Sequence, residues 1–185
     1  MARQVKHINK TPTEGLLKKS LLSLLTHKSL HSISIKSLCE NSGINRTTFY
    51  AHFSSIEDVM DSIYKEQLDS FNQIVDMITG RDYTALRATT LLLREIQNRK
   101  ETYKILLTHP DCVSFLQRFS SILHQNILSK SMPYAKESHV KYYPIYMTSG
   151  IMACISKWVM SGCDQTPEEF AELLLTITHN ANVSR

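Results

Sequence analysis

The sequence predicts an all-α protein, on three observations. Only five glycines and five prolines punctuate 185 residues. Leu-rich stretches recur at helical spacing, and no stretch alternates apolar and polar residues as a half-buried strand would. The chain is also long enough to bury a substantial core, either as one compact unit or as two small domains. The predicted layout has an arm and three-helix unit in residues 1–54, a long fourth helix in 55–81 and a helical C-terminal region in 82–185. About nine helices are expected in all.

In chain order, residues 1 to 10 read as a polar basic arm. Its Arg3, Lys6 and Lys10 either follow a nucleic-acid backbone or groove or are simply solvated. Thr11-Pro12-Thr13-Glu14 starts the first helix: Thr11 caps, Pro12 takes the first helical position and Glu14 completes a capping box. Leu17, Leu21, Leu24 and Leu25 form its buried stripe. Ser34 caps a second helix with Leu38 facing inward, and Gly43 closes it, because a glycine accepts the left-handed backbone that a helix end needs. Asn45 caps a third helix whose Ile44, Phe49 and Phe53 face the core. Ser54-x-x-Glu57 and Ser55-x-x-Asp58 offer overlapping capping boxes for the fourth helix, with Val59, Ile63, Leu68, Phe71, Val75 and Ile78 inward and Gly80-Arg81-Asp82 as its end.

Two short helices joined at one glycine form a helix-turn-helix, though the same pattern describes an αα-hairpin in any bundle. Charge separates the two. Through Ser54 the chain carries eight Lys or Arg against two acids, whereas the remaining 131 residues carry thirteen against fifteen. The basic excess therefore sits on the segment with the motif, as attraction to phosphates requires. Arg46, Thr47, Thr48, Tyr50 and His52 form the outward face of the third helix, all able to hydrogen-bond to phosphates or base edges from a major groove. Arg46 suits guanine best, through a bidentate contact.

Read as a block, residues 14 to 60 resemble the N-terminal DNA-binding domain of the tetracycline-repressor (TetR) family of transcription regulators. The resemblance rests on T-T-F-Y-A-H-F from Thr47 to Phe53 and on the run Leu38-Cys39-Glu40-Asn41-Ser42-Gly43 before it. The chain departs from the family at Ser29 and Leu30, where a glycine and an aromatic are usual, and at Ile56, where a phosphate-binding lysine is usual. The resemblance implies that Tyr50 and His52 contact phosphate. Lys36 and Ser34 are expected to hold the DNA backbone at the second helix, and Asn45 belongs to the same DNA-facing set.

Beyond Asp82 five helices are expected, at about 83 to 98, 100 to 108, 111 to 129, 139 to 161 and 167 to 181. His109-Pro110-Asp111 marks a break with Asp111 as the next cap, Ser129 to Ser138 reads as a loop, and Thr166-Pro167-Glu168-Glu169 repeats the capping logic of the first helix. Ser149, Gly150, Ala153 and Cys154 form a small-residue stripe near Trp158, while Phe170, Leu173, Leu174 and Ile177 recur at helical spacing in the last helix. Both faces fit burial inside one chain or against a second copy. The resemblance favours the second copy, since TetR-like regulators pair their last two long helices in a homodimer that reads a palindromic operator. It further implies a small-molecule effector in the C-terminal region, with Tyr103, Phe115, Phe119, His124, Tyr146 and Met147 as pocket residues; the same composition also describes plain core.

The four cysteines and eight histidines are scattered, with no C-x-x-C, H-x-x-x-H or H-E-x-x-H spacing, so no metal site, disulfide frame or cofactor is indicated. No glycine-rich phosphate loop or nucleophile elbow is present, which argues against an enzyme. Without a membrane-length apolar run or signal peptide the chain reads as cytoplasmic. The resemblance thus implies a sequence-specific repressor released by a ligand. Within the family, control by a protein partner or action as an activator are the alternatives, and the second domain is most similar to the branch that includes regulators of dihydroxyacetone kinase operons. A basic helical interaction module without sequence preference is the reading from another class.

Overall fold

The computed structural model describes residues 11–79, 84–125 and 137–183. Among the described residues the chain is helical throughout: α1 (Pro12–Leu25), α2 (Ile35–Ser42), α3 (Arg46–His52), α4 (Ile56–Thr79), α5 (Ala85–Asn98), α6 (Lys100–Thr108), α7 (Val113–Leu123), α8 (Glu137–Met160) and α9 (Pro167–Val183). Short 3-10 turns cover Leu30–Ser32 and Pro110–Cys112. Two compact units divide the chain between Glu66 and Gln67, inside α4. The basic arm with Arg3, Lys6 and Lys10, the Gly80-Arg81-Asp82 stop and most of the loop expected from Ser129 to Ser138 lie outside the described residues.

In the first unit the caps fall where side-chain chemistry puts them. Thr11 Oγ1 accepts from the Glu14 N–H, and Ser34 and Ser37 cap reciprocally, each backbone N–H donating to the other's hydroxyl at 3.1 Å. Ser55 Oγ accepts from the Asp58 N–H at 3.1 Å, and the Asp58 carboxylate reaches back to the Ser54 N–H at 2.9 Å. Leu17, Leu21, Leu38, Phe49 and Val59 are fully buried and hold α1 through α4 on one core. Leu24 and Ile44, expected inward, are only half-buried; Leu24 lies in the last turn of α1 and Ile44 in the turn between α2 and α3. In their place Ser20 is buried in α1, receiving a hydrogen bond from Asn41 Nδ2 at 2.7 Å.

The second unit is built on aromatic packing. Phe71, Tyr103, Phe115 and Phe119 interlock, with Phe115 and Phe119 stacked at 5.6 Å and Phe71 edge-on to Phe119 at 4.7 Å. Ile78, expected inward, is half-buried near the end of α4. Arg94 on α5 pairs with Glu168 on α9, and Trp158 stacks on Phe170 at 4.8 Å while its Nε1 donates to the Gln165 carbonyl. Thr166 and Glu169 form a reciprocal capping box at the start of α9.

The region after α6 differs from expectation. Asp111 was the expected cap of a helix running to 129, but the His109 ring Nδ1 accepts from the Asp111 N–H. That makes Asp111 part of a 3-10 turn, so α7 begins at Val113; it is α-helical to Leu123 and continues as a π turn at His124 and Gln125, and the expected extension to 129 lies outside the described residues. A proline at 110 cannot donate, and a histidine before it can cap by its ring, an option that residue-type preference for Asp does not reveal.

Candidate nucleic-acid interface

Gly43 makes the turn between α2 and α3. Its backbone is left-handed (φ 70°, ψ 16°), and the N–H groups of Gly43 and Ile44 both return to the Cys39 carbonyl, closing α2 in a Schellman arrangement. Asn45 then caps α3, its Oδ1 accepting from the Thr48 N–H at 2.7 Å. Phe49, fully buried, anchors α3 from below, with Tyr50 edge-on at 5.4 Å and Phe53 at 6.3 Å. These bonds hold the turn locally and leave one face of α3 outward.

The expected contact residues divide into three groups by what their side chains already do. Arg46, Thr47 and Tyr50 are exposed, Tyr50 at 59 %, and point their polar groups to solvent. Lys36 is exposed and only loosely paired with Glu40, at 3.8 Å one turn along α2. Ser34 and Asn45 are exposed but hold helix starts with their side-chain oxygens, so their hydroxyl and amide oxygens serve as caps first. Thr48 is half-buried. His52 is half-buried too, with Nδ1 3.3 Å from Glu14 Oε1 on α1. Glu14 was expected to complete the α1 capping box; its carboxylate instead faces an imidazole 38 residues away, a contact that spacing along the chain cannot reveal.

Lys36 and Arg46 flank an open depression of about 300 Å³ between α2 and α3, floored by Cys39 and Ile44. Burial pushes the Cys39 thiol up from its ordinary range, and Arg46 only partly offsets this. Cys39 is therefore a small apolar floor residue, not an activated thiol. Elsewhere in this unit Lys18 on α1 pairs with Glu66 on α4 at 3.3 Å, a contact that braces α1 and not one that meets solvent.

The expected effector residues differ in their surroundings. Tyr103, Phe115 and Phe119 are fully buried against each other, so their rings are already each other's partners. Burial pushes the Tyr103 hydroxyl well above the ordinary phenol range; Glu95 adds to this and Arg99 partly offsets it. Met147 is buried, Tyr146 is 69 % exposed, and His124 lies at the end of α7 beside α8. The expected pairing surface also splits. Trp158, Phe170 and Leu174 are buried within their own unit by the Trp158–Phe170 stack. Ser149, Gly150, Ala153, Leu173 and Ile177 are exposed. Tyr142 and Ile145, which the sequence pattern did not single out, extend the exposed row on α8 at 65 % and 59 %. Their three- and four-residue spacing from Tyr146, Ser149 and Ala153 was the available signal.

Among the described residues no group of His, Cys, Asp and Glu could hold a metal ion, and no helix is long and apolar enough to cross a membrane. Residues 84–180 match the family model of the TetR-type transcriptional regulator C-terminal region. No curated protein sequence matches the chain. Among solved structures, a TetR-family transcriptional regulator from Syntrophomonas wolfei is 15% identical with a TM-score of 0.69, over 93% of this chain and 95% of that one. A TetR transcriptional regulator from Streptococcus agalactiae is 21% identical with a TM-score of 0.66, over 89% of this chain and 92% of its own. An activator of a dihydroxyacetone kinase operon is 18% identical with a TM-score of 0.56, over 90% of this chain and 93% of its own. At these identities the three share the fold with this chain.

Proposed function

The chain belongs to the tetracycline-repressor (TetR) family of transcriptional regulators, and we propose that it binds an inverted-repeat DNA site as a homodimer and leaves that site when a small molecule occupies its second unit. The observation that carries this reading is the α2–Gly43–α3 geometry. A buried Phe49 and a capped helix start present Arg46, Thr47 and Tyr50 together on one open face. α3 is narrow enough for a major groove, and its first residue is an arginine whose guanidinium can meet a guanine edge in a bidentate pair. Lys36 on α2 and the Tyr50 hydroxyl supply phosphate contacts beside it, which fix register without reading sequence. His52, drawn toward Glu14, acts chiefly by holding the end of α3 against α1.

A single seven-residue reading helix contacts few bases. Two copies in one rigid pair double the readout, and the exposed row of Tyr142, Ile145, Tyr146, Ser149 and Ala153 on α8 with Leu173 and Ile177 on α9 is the surface proposed to join them. Release by an effector then requires that the ligand bind one arrangement of the pair more tightly than the DNA-bound one. The test is fluorescence anisotropy on a selected operator duplex. Arg46→Ala is expected to lose about 1–3 kcal/mol of discrimination per half-site, and affinity of the unaltered protein should fall steeply with salt as counterions are released. Unchanged sequence preference in the variant, or a flat salt response, overturns the assignment.

A further inference from the structure

Through Ser54 the chain holds only two acids, Glu14 and Glu40, against eight Lys or Arg. Glu14 is turned to His52 at 3.3 Å. Glu40 stands instead on the rim of the depression between α2 and α3, which Lys36 and Arg46 also line, so a carboxylate sits within the face proposed to approach a polyanion. Its Oε1 lies 3.8 Å from Lys36 Nζ, and both side chains are about two-thirds exposed, at 67 % and 68 %. A pair this exposed, at a separation longer than a hydrogen bond, adds little to stability. The Cys39 thiol on the floor feels Arg46 and Glu40 in opposite senses, so the two charges flank one residue. A carboxylate in this position opposes the general attraction of the basic face to DNA. Repulsive elements of this kind are how an interface rejects wrong partners.

We infer that Glu40 is a specificity-determining residue, its carboxylate accepting a hydrogen bond from the amino group of a cytosine in the base pair next to the guanine read by Arg46. The inference rests on the DNA-reading regulator proposed above. Once DNA covers the depression, the carboxylate loses water and needs a donor. Phosphates only accept, as do guanine N7 and O6 and thymine O4 along the major groove; the donors there are the amino groups of cytosine and adenine. Adenine's amino group lies between its own N7 and the thymine O4, so a carboxylate meets an acceptor on both flanks, whereas cytosine's has an acceptor on one flank only. Lys36 neutralises a phosphate in the complex, which leaves cytosine as the donor to Glu40. Arg46 and Glu40 then read complementary features from one depression: a cation takes the acceptors of guanine and an anion takes the donor of cytosine. A duplex without cytosine at that step leaves Glu40 desolvated and unpaired, and is rejected.

The test compares the full chain, Glu40→Gln and Arg46→Ala in selection of bound duplexes from a random pool. Anisotropy then follows on the selected duplex, on its cytosine-to-thymine variant and on a scrambled duplex. Glutamine keeps the shape of the side chain, and its amide can accept from cytosine or donate to thymine. The unaltered protein should favour cytosine over thymine at one position of each half-site by about tenfold, the equivalent of one hydrogen bond to a charged group. Glu40→Gln should cut that preference to about twofold or less while keeping the guanine preference, and Arg46→Ala should do the reverse. Because Glu40→Gln also removes a negative charge, its affinity for the scrambled duplex should rise and depend more steeply on salt. A gain on the scrambled duplex with the cytosine preference intact would show that Glu40 merely restrains Lys36, and overturns the proposal. A selected half-site without cytosine beside the guanine overturns it as well. Enrichment of no sequence condemns the regulator reading itself, whereas a guanine preference lost in Arg46→Ala beside an unchanged base profile in Glu40→Gln condemns only this assignment.

Discussion

Replacing Gly43 by alanine tests the turn on which the reading face depends, with sterics and backbone strain cleanly separated. A Cβ built at Gly43 meets nothing within 4 Å, so the added methyl has room. What it meets is its own backbone at φ +70°. A left-handed conformation is roughly 1–2 kcal/mol unfavourable for a residue with a Cβ, and the reduced freedom of the unfolded chain returns about 0.4–1 kcal/mol of that. The net expectation is a loss of about 1 kcal/mol from these two terms, seen as a melting temperature lowered by about 4–8 °C for a unit of this size. Gly15 provides the control in the same unit, since it lies within α1 and its Cβ position is equally open. There alanine should stabilise by about 0.5–1 kcal/mol, because a helix interior disfavours glycine. Gly43→Asn should fall between wild type and Gly43→Ala, as asparagine tolerates the left-handed region. Urea denaturation followed by far-UV circular dichroism reads all three, with unchanged slopes as the check on two-state behaviour. If Gly43→Ala stabilises as Gly15→Ala does, the turn is not left-handed and the geometry of α2 and α3 is wrong.

Three further outcomes are expected. Leu173→Glu together with Ile177→Glu, both on exposed positions of α9, should convert the pair to monomers in sedimentation analysis without loss of helicity; a dimer that survives places the interface elsewhere. Trp158→Phe keeps the stack on Phe170 but removes the Nε1 bond to the Gln165 carbonyl, and should lower stability in thermal melts by about 1 kcal/mol; no change would mean that the bond is not made. Hydrogen bonds from the Thr166 backbone and hydroxyl hold the Glu169 carboxyl below its ordinary value of 4.5. A depressed carboxyl contributes stability above its unfolded-state value and loses it as pH falls through the folded-state value, so an NMR titration should place Glu169 below exposed glutamates, and Glu169→Gln should remove that acid-side dependence.

Where a local rule decides the structure, the sequence was informative. Thr11, Ser34, Asn45 and Thr166 cap because a short oxygen-bearing side chain before an apolar run satisfies helix N–H groups, and Gly43 ends α2 because the turn needs a positive φ. Phe49 and Phe53 were legible as core from spacing alone, and Arg46, Thr47 and Tyr50 as the face opposite. Contacts between distant segments were not. Nothing near Glu14 announces His52, and nothing near Phe170 announces whether Trp158 meets it inside one unit or across a pair. Aromatic residues that spacing offered as pocket walls became each other's packing partners, because rings gain most by burying their faces together.

The central claim is that α3 reads DNA sequence twice, from a symmetric pair. Selection of bound duplexes from a random pool measures both halves of it at once. The account predicts enrichment of an inverted repeat whose half-sites each carry a guanine, with Arg46→Ala relaxing preference at that position in both halves. Enrichment of no sequence, or of a single asymmetric site indifferent to Arg46, would contradict it.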